Sequence, residues 1–506
     1  MTGGTETRPP VPARRPPRRV WDRPLLAVYG LMGLYGVVFT WLALRRYEAF
    51  WTGRFDLGNM VQAVWASAHG HPLEVTNTAG VQFVRLGAHV DPILVAFAPL
   101  WRIWPDPRML LVAQVVIVAS GALPVFWLAR RWLADDRLAV AFAAVYLLYP
   151  PVQWLVVTEF HPVALAAPLL LFCVWAVEEH RPWWLAVCAP LAALTKEQVG
   201  LSLALLGVWA FVRHRRRWTA ALLVAGGTAW TAFCVAVVIP HYSPTGGSPF
   251  INRYADLGES QAEVVKTLVT RPWDAVEVAL SWGRFTYVLA LVLPLLLLPF
   301  LAPLLALAAL PDLGLNLLAQ YWPQYSVQYQ YTATIIPFLM AAAILGLARL
   351  RARRLPAPAA RAVAASGPIA VLLVCAGIAA GWSQGPLPFW RHVPGGSTSR
   401  AQEYTVDHHA RVQARAVALV PDDPDVVVSV SNLMGARVSA RRVVYTWPVV
   451  KDADWVLVDE RRPFLADRIS TRDHRLLVAS LRADRRFRVV FEEDGVLVFH
   501  RVGPAR

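Results

Sequence analysis

Long apolar runs constrain this chain more than anything else. The 506 residues are 56% hydrophobic and 16% charged, with mean hydropathy +0.43. Soluble domains are about a quarter charged, so the deficit points to a bilayer. Membrane-length or near-length runs fit 24–44, 109–128, 138–150, 162–178, 183–195, 198–212, 218–240, 285–300, 301–320, 331–348 and 367–383. The expected architecture is therefore mainly α, a polytopic bundle of about eleven spans. Many of the 22 Trp and 14 Tyr fall at run ends, where amphipathic rings meet the headgroups. Several runs are short for a bilayer and must tilt, re-enter or borrow neighbouring residues.

Charge orients the bundle. The net charge is +15. The arginines gather in short loops between runs, which excludes nucleic-acid binding as the reason for them. Residues 1–23 read as a disordered basic cytoplasmic tail holding Arg14, Arg15, Arg18 and Arg19. The positive-inside rule then sends residues 45–108 outside as a long loop with two short helices. Arg130, Arg131, Arg137, Arg181, Arg213, Arg215, Arg216, Arg217, Arg349, Arg351, Arg353, Arg354 and Arg361 fall in inner loops. Arg45, Arg46, Arg253 and Arg271 break the rule. Residues 24–383 thus form the membrane domain. Residues 384–506 have no such run and read as a small extracytoplasmic α/β domain. Its strands are expected at Asp425–Ser431, Arg442–Thr446, Asp454–Asp459, Phe487–Glu492 and Gly495–Arg501, with a turn at Glu493-Asp494 and helices at 400–419 and 464–484. Cys173, Cys188, Cys234 and Cys375 sit in apolar runs without a CxxC, so they read as small core residues.

Ionisable residues at membrane depth are costly and mark function by default. Here they fall at outer ends of spans. Asp56, in Phe55-Asp56-Leu57-Gly58, starts an amphipathic helix that carries Gln62 on a polar face. A carboxylate there caps free N–H groups, or acts as general base towards a sugar hydroxyl. In His89-Val90-Asp91-Pro92, Asp91 is placed as a helix cap, and His89 could hold a phosphate or a metal. Glu159 and His161 share a short turn and could relay a proton. Two ligands are too few for a metal, and no DxD motif supports one at this turn. Lys appears only at 196, 266 and 451. Lys196, beside Glu197, reads either as a solvated turn or as a point charge for a phosphate. Tyr325, Tyr329 and Tyr331 interleave with amides, as an interfacial aromatic belt or as a sugar-binding rim.

Several of these segments, in this order, resemble the bacterial predicted membrane protein family known as domain of unknown function 2079. They are Phe55-Asp56-Leu57-Gly58 with Gln62, Trp65 and Gly70; His89 to Pro99; Lys196-Glu197; Tyr331 with Pro337-Phe338; and Ser439, Arg441 and Val444-Tyr445 followed by Trp455 to Asp459. That family is similar in layout to the GT-C glycosyltransferases, polytopic enzymes that use polyprenyl-phosphate sugars at the outer face. The resemblance implies a catalytic Asp56. The other residues follow from the expected topology: Gln62, His89, Asp91, Glu159, His161, Lys196, Glu197, Arg253, Tyr325, Tyr329 and Tyr331 as substrate-binding. No cofactor is implied, and a divalent metal has no ligand set to support it. The expected partners are membrane lipid, a polyprenyl-phosphate sugar donor and an envelope glycan or lipid acceptor. A transporter or lipid flippase is the alternative, disfavoured by polar residues near one face and the lack of an inverted repeat. A non-catalytic envelope assembly factor is the third reading.

Overall fold

The computed structural model describes residues 22–246, 250–353, 356–398, 400–463 and 471–503. The first helix, α1 (Arg23–Glu48), is capped by Asp22, whose side chain accepts from the Leu25 N–H. Its 26 residues reach about 39 Å at the usual rise, enough for a hydrocarbon core. Four helices among the described residues are long and apolar enough to cross a membrane: α1, Arg108–Leu133, Arg217–Tyr242 and Ser366–Gln384. Two bent pairs could add one span each. Asp136–Leu148 meets Pro150–Val157 at 45°, and Pro272–Ala279 meets Trp282–Leu295 at 68°. The first of these bends is where Pro150 and Pro151 start a new helix, as proline favours.

Length and composition support four to six spans among the described residues, so the expected count of about eleven is not confirmed. All eleven predicted segments contain helix, but many are too short. Pro162–Glu178, Pro182–Ala193, Val199–His214 and Pro303–Leu318 are short apolar helices packed in the bundle. Helices Gln261–Thr270 and Pro272–Ala279 occupy a stretch read as plain loop. Their small apolar faces leave Val269, Trp273 and Leu280 exposed.

Residues 45–108 do carry two short helices, α2 (Asn59–Ala68) and Pro92–Ile103. Between them lies an unforeseen hairpin, β1 (Glu74–Thr76) with β2 (Gln82–Val84). The C-terminal sheet contains β3 (Val428–Val430), β4 (Val444–Thr446), β5 (Trp455–Asp459), β6 (Phe487–Glu493) and β7 (Val496–Arg501). The order is β4-β3-β5-β7-β6, with β4, β3 and β5 parallel and β7 antiparallel to both β5 and β6. All five strands were expected, β3 and β4 at greater length. The hairpin turn falls one residue late, at Asp494-Gly495, both with positive φ (47° and 76°), as a tight two-residue turn demands. The helix expected at 400–419 is a single turn, Ala401–Tyr404, followed by His408–Val417. That expected at 464–484 appears as Thr471–Ala483, with 464–470 outside the described residues.

Bundle and sheet unit share a core. Phe50, just past α1, is buried among Val412, Met434, Val438 and Leu457. It adopts φ 58°, a left-handed conformation unfavourable for a bulky residue.

Candidate active site

After Phe50 the chain passes through a tight π-helical turn, Arg54–Gly58, that carries Asp56. Asp56 is the exposed residue of an otherwise well-packed turn, its side chain 51% accessible. His161 Nε2 lies 3.2 Å from Asp56 Oδ1, and the imidazole is itself only 7% accessible. Glu159 Oε2 accepts from the Gly53 and Leu57 N–H groups at 3.1 and 2.9 Å. The two carboxyls therefore play different parts: Glu159 ties down the ends of the turn and Asp56 faces outward.

Their proton affinities diverge accordingly. Enclosure pushes Asp56 upward, but the hydrogen bond and charge of His161, then Arg85 and Arg46, hold it below the usual carboxylate range. Burial, then the Asp56 charge, raises Glu159. Carboxyls whose environments push them apart mark an acid–base division of labour.

The 158–161 turn is shaped by a residue that sequence reading missed. Gln114, fully buried in an apolar helix, donates to the carbonyls of Leu155 and Glu159 at 2.8 and 2.7 Å and accepts from the His161 N–H at 2.8 Å. This grip holds Glu159 at φ 146°, a region nearly reserved for glycine. An amide in the middle of an apolar run was the available signal. Arg46, buried at the end of α1, donates to the carbonyls of Val157 and Thr158 and to Glu403 at 2.6 Å.

A second cluster holds the cations. Lys196 Nζ sits 5.8 Å from the centroid of the Tyr331 ring. Arg253 donates to the Tyr331 hydroxyl at 3.3 Å and packs over Phe250 and Tyr321 at 4.5 and 4.6 Å. His89 stacks on Phe250 and meets Glu197 at 3.3 Å. Glu197 also accepts from the Val90 N–H at 3.0 Å. Burial alone would raise Glu197, yet His89 and then Lys196 outweigh it and hold the carboxylate at about 2. Burial pushes His89 below its ordinary value despite that neighbour. The clusters are joined where Thr158 Oγ1 donates to the Gln328 carbonyl at 2.8 Å. The charge of Arg85 is felt at both Asp56 and His89.

Asp56, Glu159 and His161 thus come together, and so do His89, Lys196, Glu197, Arg253 and Tyr331. Four expected residues are engaged elsewhere. Asp91 does stand at the N-cap position of Pro92–Phe97, but its side chain makes no capping bond: it forms a buried bidentate pair with Arg85, at 2.7 to 3.1 Å. Gln62 is buried in the seam with the sheet unit. Its oxygen accepts from Arg54 and the Thr76 N–H, and its nitrogen donates to Thr76 and to the Arg441 and Arg442 carbonyls. The polar atoms of both have protein partners. Tyr325 and Tyr329 face other cations, Arg284 at 4.8 Å and Arg400 at 4.6 Å. Among the described residues, no three His, Cys, Asp or Glu side chains converge in a way that could hold a metal.

The fold is similar to that of ArnT from Cupriavidus metallidurans in its apo state, with a TM-score of 0.50 and 14% identity, over 94% of this chain and 100% of that one. ArnT from Cupriavidus metallidurans bound to undecaprenyl phosphate superposes with a TM-score of 0.46 at 12% identity, over 94% and 99%. No curated protein matches the sequence. A family model described as "Predicted membrane protein (DUF2079)" matches residues 46–498, so the chain, a membrane protein with an ArnT-like fold, belongs to that family.

Proposed function

We propose that this protein is an inverting, GT-C-like glycosyltransferase that moves a sugar from a polyprenyl phosphate to a cell-envelope acceptor. In this reading the N-terminus is cytoplasmic and the sheet unit is an extracytoplasmic domain. One observation carries the proposal: a half-exposed, ionised Asp56 hydrogen-bonded to a buried histidine beside a cluster of cations and aromatic rings. Asp56 takes the proton of the acceptor hydroxyl. The oxygen attacks the anomeric carbon from the face opposite the phosphate. The bond from that carbon to the phosphate oxygen breaks, and the phosphate leaves with the electron pair. Lys196 and Arg253, with His89 at the edge, stabilise the developing charge. Tyr331 covers the sugar ring. Glu159 and His161 hold and tune the base. No step requires a metal or cofactor to balance.

The test is a screen of labelled polyprenyl-phosphate sugars in membranes that contain the protein. Asp56→Asn is expected to insert normally and to lose about 10²- to 10⁴-fold in transfer, the usual contribution of a general base. Undiminished transfer by that variant would overturn the assignment.

A further inference from the structure

The Asp56 turn is gripped from two sides, and only one grip belongs to the bundle. The other comes from the short helix Asn432–Gly435 and the turn Ala436–Val438 of the sheet unit. Asn432 is buried, and its Oδ1 accepts from the Phe55 N–H at 3.0 Å. The seam tolerates no extra carbon. A Cβ on Gly53 would come within 2.6 Å of Asn432, and one on Gly58 within 2.7 Å of Ser439 Oγ. A Cβ on Gly435 would collide with that of Arg54. Arg437 donates to the Tyr47 carbonyl at 2.9 Å and covers the Phe50 ring at 3.9 Å. Arg54 reaches back to the Val444 carbonyl at 3.2 Å. Glycines on both sides let two backbones approach closely enough for side chains to bond main chain.

We propose that the sheet unit is a working part of the candidate active site, and that Asn432 is a positioning residue that sets the direction of Asp56 by fixing the Phe55 amide. The proposal rests on the glycosyltransferase reading for its catalytic consequence, though not for the clamp itself. The residue before Asp56 is held by Asn432 and the residue after it by Glu159. Two fixed amides flanking one residue hold the backbone from which its carboxylate projects. Releasing one lets Asp56 swing, and a displacement of about 1 Å can cost about 10²-fold in rate.

Two measurements on the full-length chain separate the outcomes. Hydrogen exchange across residues 53–58 reads the clamp without any substrate. Asn432→Ala is expected to speed exchange at the Phe55 amide, while Asn432→Asp, which keeps an acceptor oxygen, restores most of the protection. Lys451→Ala is the control. Lys451 ties the same sheet unit to the Gly80 carbonyl at 2.6 Å, away from the Asp56 turn, and its removal should leave exchange at Phe55 unchanged. With the labelled donor, Asn432→Ala should lower kcat about 10- to 100-fold with little change in donor KM, and Asn432→Asp should recover part of it. Unchanged exchange in Asn432→Ala, or equal loss of turnover in Asn432→Ala and Lys451→Ala, overturns the proposal. Faster exchange in Asn432→Ala, with no sugar transfer by wild type, leaves the clamp standing and removes the glycosyltransferase reading instead.

Discussion

As the proposed base, half-exposed Asp56 must stay ionised, and the hydrogen bond and charge of His161 favour that form. The depressed proton affinity of Asp56 has a direct kinetic expression. A general base acts when deprotonated, so the acid limb of kcat/KM should lie below the range of an ordinary carboxylate. His161→Ala removes the hydrogen bond and charge that oppose burial, and that limb should move to higher pH. A pH–rate profile with the limb unmoved would mean that some other group titrates. At this scale the sequence showed the charged groups better than their restraints. Asp56, Glu159, His161 and Lys196 stand out because each interrupts or borders an apolar run. Gln114 also interrupts such a run, but what it does, like what Asn432 does, depends on partners 41 and 377 residues away. Asp91 looked like a cap by local grammar, and the nearby Arg85 claimed its carboxylate instead.

Between elements, glycine decides how near the backbones come. Helix Val199–His214 follows directly from the Lys196–Glu197 turn and packs on Arg217–Tyr242. At their contact Gly200 faces Gly227, and a Cβ on either would overlap the other's carbonyl oxygen. Small residues at such crossings let helices in lipid pack closely. Gly200→Val should force the pair apart and cost about 1–3 kcal/mol, as overpacking does. Thermal unfolding in detergent would read this as a lowered midpoint, and an unchanged midpoint would show that the helices shift without penalty. Thr231 Oγ1 also bonds the Glu197 carbonyl at 2.8 Å, so the same variant should disturb the cation cluster. The positions of the helices were legible because apolar runs announce them. The number of spans was not, because a run does not reveal whether it bends at Pro150, ends short or lies inside the bundle. The strands were easier to read, since short apolar runs between turn residues are a local signal, although the hairpin turn at Asp494-Gly495 was placed one residue early.

At the scale of the molecule, one buried ion cluster links the strands and helix of the sheet unit. His409 lies between Asp459 at 3.0 Å and Asp494 at 2.9 Å. Burial alone would lower its pKa, but Asp459 and then Asp494 outweigh it, and the net shift is upward. The stabilisation is therefore complete below the unfolded-state value of about 6.5 and is lost as pH rises through the raised folded value. Asp494 shifts the other way, held down chiefly by the His409 hydrogen bond. Its contribution is present above the ordinary aspartate value of about 3.9 and is lost as pH falls through the depressed one. Thermal stability of the full chain should thus be highest between about pH 4 and 6.5 as far as this cluster is concerned. His409→Gln should flatten the alkaline decline, and an equally steep decline in that variant would assign it to other groups.

The insertion of Phe50 into the core beneath the sheet has a consequence for biosynthesis. The Asp56 turn emerges early from the ribosome, yet the surfaces that shape it, around Asn432 and Arg437, are made nearly four hundred residues later. Chains that stop short of these surfaces should therefore carry an unshaped Asp56 turn.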